Sequence, residues 1–212
     1  MGTIRIPKLL FFIAGVYFMG LGVALSVTAD LGTSPISSLP YVLGEITPFT
    51  MGAMTFAMNI VFILIQVLIL RKQFKLWYLL QLPGLLLFSA AIDLNNYLLS
   101  GVVLEIYWIQ FLIMLLGCIV LGFGIALLLK ADIFMMPGDF LVKVISDKSG
   151  RNFGRLKVCF DVILVAIAVT VSFVFLHQIV GVREGSLVAA LTVGLIVNFF
   201  RKYLLKTSVS RS

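Results

Sequence analysis

Long apolar runs dominate the chain, and short polar segments interrupt them at regular intervals. Six runs reach the ~20 mostly apolar residues that a bilayer-crossing helix needs. They cover roughly 9–29, 52–70, 76–99, 107–129, 157–177 and 185–203. Strands of a membrane barrel would alternate polar and apolar residues over about ten positions. The stretch from Asn59 to Leu70 shows no such alternation, so the runs predict helices.

The polar interruptions carry an internal repeat. Sliding the sequence by 102 positions sets Gly15–Asn59 on Gly117–Asp161 without a gap, with 11 identities in 45 positions. These include Gly20, Gly22, Ala24, Ala29, Asp30, Pro35 and Gly52. Apolar bias alone does not align Gly, Asp and Pro. At an offset of 103, Ser89 falls on Thr192 and Asn95 on Asn198. Each half then holds three spans, repeat 1 over about 9–100 and repeat 2 over about 107–205. Three is odd, so the second copy enters the bilayer from the opposite side, a frame shared by many secondary transporters. The expected fold is an all-α membrane protein of one domain over residues 1–212. It has six transmembrane helices in two inverted three-helix repeats, with short re-entrant or interfacial helices after the first and fourth spans.

Composition narrows the class. Of the 212 residues 61% are hydrophobic and 12% charged, against about 25% charged in a soluble domain. Eighteen Phe exclude a disordered chain, and two Cys exclude a disulfide scaffold. The net charge of +7 would suit a nucleic-acid binder, but its distribution argues otherwise. With the N-terminus inside, fifteen of the sixteen basic residues fall on inner segments: Arg5, Lys8, Arg71, Lys72, Lys75, Lys130, Lys143, Lys148, Arg151, Arg155, Lys157, Arg201, Lys202, Lys206 and Arg211. Only Arg183 falls outside. That bias places both termini in the cytoplasm and leaves anionic membrane lipids, not nucleic acid, as the partner of the charge. The first apolar run is too long for a signal-peptide core, and the start Met-Gly-Thr-Ile-Arg-Ile lacks the Ser/Thr of a myristoylation signal.

Gly20-Leu-Gly-Val-Ala24 and Gly122-Phe-Gly-Ile-Ala126 put small residues on one helix face, which permits close approach of backbones. That face serves either static packing of spans one and four or sliding between them. Downstream, Pro35 and Pro137 suit the first turn of a short helix. Ser34 is a candidate cap, with Ser37 and Asp139 near the free first-turn N–H groups. From Lys8 to Asp30 a helix rises roughly 30 Å. Asp30 is therefore expected near one membrane boundary and Asp132 near the other. The short helices then read as paired gates or re-entrant plugs, built from Asp30, Ser34, Pro35, Ser37, Asp132, Pro137 and Asp139.

Together, Gly-x-Gly-x-Ala-Leu followed by Ala29-Asp-Leu-Gly-x-Ser-Pro35, then Pro137-Gly-Asp139, Gly154-Arg155 and Gly185-Ser186, resemble the YczE/YyaS/YitT family of bacterial membrane proteins. The resemblance covers most of the chain and implies a multi-pass protein of the bacterial cytoplasmic membrane, without naming a chemistry. Family members often have an acid two residues after the first-half proline, where this chain has Ser37. The second half has Phe134 and Met136 in place of Gly and Ser.

Ionisable groups in lipid cost roughly 2.5–3.5 kcal/mol each on insertion scales, so each requires a reason. Asp93 falls in span three and Asp161 in span five, where the repeat mate of Asp161 is Asn59. With Ser89, Asn95, Thr192 and Asn198 they outline a candidate path for a solute, cation or proton. The competing reading pairs the acids with backbone N–H groups or with Lys, since Asp161 lies four residues from Lys157 on one helix face.

One His and two separated Cys, Cys118 and Cys159, leave no metal or redox site. No P-loop or Gly-x-Ser-x-Gly element is present. The expectation is a non-enzymatic transporter of an unidentified small solute, working without a cofactor by alternating access. The alternative is a non-transporting membrane partner, such as a substrate-binding subunit or assembly factor. A second copy of the chain or a partner ATPase are the protein partners these readings admit.

Overall fold

The computed structural model describes residues 6–209, with side chains described for 7–204. Arg5, Arg211, the Lys206 side chain and the first residues lie outside that set. Every regular element among the described residues is helical. Six helices have the length and apolarity to span a bilayer: α1 (Ile6–Thr28), α3 (Met51–Leu70), α4 (Gln81–Leu99), α5 (Tyr107–Ala131), α7 (Phe153–Leu176) and α8 (Glu184–Val209). Two shorter ones, α2 (Pro35–Ile46) and α6 (Pro137–Ser149), follow the first and fourth spans. Both begin at the expected proline, because its fixed φ suits a first turn where no N–H is needed. Short 3₁₀ turns at Arg71–Gln73 and Leu76–Leu80 join α3 to α4.

Packing starts from α1 and α5, which cross as the closest pair in the molecule. Glycine is required at that crossing. A methyl group on Gly22 would come within 2.5 Å of the Leu121 backbone nitrogen, and one on Gly124 within 2.6 Å of that of Met19. Close backbone approach substitutes here for the hydrophobic drive that lipid does not supply. α4 lies on α1 and α8 on α5. A second cluster joins the remaining four helices, with α2 on α7 and α6 on α3. Its core is Met58, Phe62, Leu141 and Leu164, with Ile36 and Phe160 packed on it.

Two features differ from a plain bundle. The Ile36 side chain packs directly on the Gly138 backbone. The first turns of the two short helices therefore meet in the interior, although chain length alone suggests separate plugs at opposite ends. In addition, α3 packs along α4, whereas α7 and α8 pack on other helices and hardly on each other.

Leucine, valine and phenylalanine cover the outer faces of the spans, among them Leu64, Leu68, Leu98, Phe173 and Leu195. In water such a surface would aggregate. In a bilayer it is solvated by acyl chains, and the helices satisfy their own backbone hydrogen bonds.

Candidate functional site

Both ends of the bundle are shaped by the loops that leave α1 and α5. Asp30 and Asp132 close these helices in left-handed backbone, at φ 51° and 49°. Asp is one of the few non-glycine residues that visits this region readily. Gly32, at φ +99°, continues the turn after Asp30. The Asp30 loop is then tied to the loop before α8. The Thr33 N–H donates to Gly181 O at 3.0 Å and the Gly185 N–H to Leu31 O at 2.8 Å. Arg183 donates to the Asp30 carbonyl at 2.7 Å and lies 3.6 Å from its carboxylate. At the other end Phe134 packs on Phe12 with the rings tilted and their centroids 4.7 Å apart.

A cavity of about 370 Å³ opens at the Asp30 end, between the end of α1, α2, the Phe49–Met51 turn and the last turns of α4. Its polar lining includes Tyr41, Glu45, Thr50 and Asn96, and no basic residue is among those that line it. Burial, then the charges of Glu45 and Asp30, push the Tyr41 phenol up to about 12. It therefore stays protonated, and a hydrogen-bond donor, at any physiological pH. Asn96 is poorly satisfied. Its Nδ2 reaches only the Met51 sulfur at 3.8 Å, and its Oδ1 is buried without a partner. A smaller cavity of about 130 Å³ lies at the Asp132 end, lined by Met19, Leu128, Asp132, Phe134 and Asp139 among others.

Asp93 lies just beneath the larger cavity and caps α3 from across the helix pair. It accepts the Thr50 hydroxyl at 2.6 Å and the Gly52 N–H at 2.8 Å. Thr50 Oγ1 in turn accepts the Ala53 N–H at 3.1 Å. One carboxylate oxygen thus takes a free N–H of a helix N-terminus, where negative charge is favoured, and the other holds the capping hydroxyl. Gly52 permits this contact, since a methyl group there would come within 2.3 Å of Ser89 O and 2.5 Å of the Asp93 carboxyl. Its repeat mate Gly154 meets only Asn152 Oδ1, at 3.2 Å.

The other acids are brought together. Lys157 Nζ lies 3.0 Å from Asp139 on α6 and 3.0 Å from Asp161 on its own helix. One cation therefore bridges two carboxylates and pins α6 to α7. The repeat mates Ser37, Thr55 and Asn59 are neutral and buried, and each bonds locally. Ser37 Oγ accepts the Ser34 hydroxyl at 2.9 Å, and Asn59 Nδ2 donates to Thr55 O at 2.8 Å. Ser34 stands at the cap position of α2, but its side chain makes no cap bond to the backbone.

The remaining polar set does not converge on one point. Asn95 donates back to Ala91 O at 2.7 Å and Thr192 to Val188 O at 2.7 Å. Ser89 Oγ is buried without a partner, while Asn198 lies on the exposed face of α8. Gln66 and Gln81, absent from the sequence-based set, are among the most deeply buried polar residues, at 0% and 2% exposure. Gln66 donates to Pro137 O at 2.9 Å and accepts from Gln81 Nε2 at 3.3 Å. The signal for Gln66 was present: it is the one polar residue between Ile60 and Leu70. Tyr41, Glu45 and Asn96 gave no comparable signal, since they come from two helices far apart in sequence.

Residues 6–202 match the family described as a family of unknown function (DUF6198), and the chain belongs to it. It is 27% identical over 143 residues to the uncharacterized membrane protein YczE of Bacillus subtilis (strain 168), covering 67% of this chain and 64% of that relative. The match thus spans just under two thirds of YczE. It is also 25% identical over 146 residues to the uncharacterized protein YyaS of the same organism, covering 68% of this chain and 71% of that protein. The resemblance read from the Gly, Asp and Pro pattern is thereby borne out. No solved structure matches the chain.

Proposed function

We propose that this membrane protein is a small-solute transporter of the bacterial cytoplasmic membrane, working by alternating access between two inverted three-helix repeats. Its Asp30 end faces outward, and both termini are cytoplasmic, as the basic residues imply. The pairing of the helices supports the repeat. Exchanging the halves turns α4 on α1 into α8 on α5, and α2 on α7 into α6 on α3, and these pairs all exist. Ile36 meets its own mate Gly138, as residues beside a twofold axis must.

One observation carries the transport reading: the helix pairings of the two halves differ most at one joint, where α3 packs on α4 and α7 hardly touches α8. Gly52 clamps α3 to α4 through Ser89 and Asp93, while its mate Gly154 touches nothing on α8. An inverted pair whose copies adopt different internal packing is open to one side, and exchanging the two packings opens it to the other. The larger cavity at the Asp30 end and the smaller one at the Asp132 end fit an outward-open form. In this reading the Lys157 contact with Asp139 holds the inner short helix, and Asp93 holds the outer joint.

Purified protein in liposomes tests the proposal. Saturable movement of a solute by the protein alone supports it. A solute retained in native mass spectrometry but never moved without a co-purifying ATPase would overturn it. That outcome fits the second reading, a subunit of a larger assembly, which the nearly uncovered α8 favours.

A further inference from the structure

We propose that the cavity of about 370 Å³ at the Asp30 end binds a small organic ammonium ion. The inference rests on the transporter reading above and gives its substrate class. The volume lies within the roughly 300–1,000 Å³ of sites that enclose small molecules. The chemistry of its wall is one-sided. Glu45 is the only ionised side chain in the lining, and it is negative. Asp93 adds charge directly below, through its bonds to Thr50 and Gly52. Arg183 is engaged with Asp30 and Glu184 and is not among the residues that line the cavity. Burial raises the Tyr41 phenol most, and the charges of Glu45 and Asp30 add to that, so its hydroxyl stays protonated in the wall.

The hydroxyls of Thr28, Thr50 and Ser100 in the wall donate to protein acceptors, which leaves their protons spent. Asn96 spends its N–H on a thioether, a poor acceptor, and leaves its carbonyl oxygen unpaired. A rotation of that side chain offers the oxygen to an N–H donor in the cavity. Phe49 and Tyr41 place aromatic rings in the wall, and ring faces attract alkylammonium groups. An anion would meet Glu45 with no compensating cation. A neutral polyol would leave the field unused.

The test is calorimetric titration of the full chain in lipid nanodiscs with ethanolamine and choline, using acetate and glycerol as controls. The expected result is saturable, mutually competitive binding of an ammonium probe and none of either control. Glu45→Gln should weaken it about tenfold, the size of one charge-assisted contact. Asn96→Asp, which adds charge at the same wall, should tighten it. Absence of ammonium binding, or binding unchanged in Glu45→Gln, overturns the site. Because binding is read without flux, the two proposals fail separately. Binding with no movement in liposomes supports the site and counts against transport. Movement of an anion with no ammonium binding does the reverse.

Discussion

Gly52 rests against Asp93, whose carboxylate accepts its N–H at 2.8 Å, and no side chain larger than hydrogen fits between α3 and α4 there. The equivalent Gly154 has open surroundings. Two residues that the repeat makes equivalent in sequence therefore stand in opposite packing environments.

The first prediction follows from that contrast. Gly52→Ala should lower stability by about 1–3 kcal/mol, the cost of overpacking a tight contact. Gly154→Ala should be neutral or stabilising by up to about 1 kcal/mol, through helix propensity. Thermal unfolding of both variants in one detergent decides it, and equal losses would show that the joint is not asymmetric.

The Gln66–Gln81 pair yields a double-mutant test. Gln66→Leu leaves one N–H of the Gln81 amide, whose other bond goes to Tyr78 O at 2.8 Å, without an acceptor and removes the side-chain donor to the Pro137 carbonyl, a loss of about 1–3 kcal/mol. Replacing both glutamines by leucine removes the stranded donor as well, so the double variant should cost less than the two single ones summed. Strict additivity would mean that the amides act independently.

Lys157 is expected to impose a pH dependence when removed. In Lys157→Met the Asp139 and Asp161 carboxylates lose their shared cation. Protonation of either then relieves the unpaired charge. The variant's deficit relative to the parent should be largest near pH 8, at about 1–3 kcal/mol, and shrink towards pH 5. Part exposure of both acids keeps it below the cost of breaking a fully buried pair. Parallel melting curves across that range would contradict the bridging role.

Asp132 holds left-handed backbone at φ 49°. Asp132→Gly should preserve or raise the melting temperature, whereas Asp132→Val should cost about 1–2 kcal/mol, because a β-branched residue resists that conformation. Equal melting temperatures for the two would mean that the turn relaxes out of the left-handed region.

Much of the fold was legible because its causes are local. Span lengths follow from runs of apolar side chains, and both short helices start where a proline suits a first turn. The pairing of Asp161 with Lys157 needs only helical spacing, and the close crossing of α1 and α5 follows from Gly22 and Gly124. The site was less legible. The spans are apolar on all sides, so no polar face announces which neighbour each one meets. Nothing in the spacing of Asp93 says that it caps α3, or that Asp139 shares Lys157.

The sequence by itself determined the membrane class, the six spans and the two proline-started helices, since each depends on residues within a few turns of one another, and the 102-residue repeat by direct alignment of its two copies. Only the tertiary structure decided the meeting of Ile36 with Gly138, the Gln66–Gln81 link and the cavity around Glu45 and Asn96. These depend on how helices rotate and tilt against one another. In lipid, where every apolar face is equally well solvated, close packing and a few polar bonds set that arrangement, and the hydrophobic pattern does not.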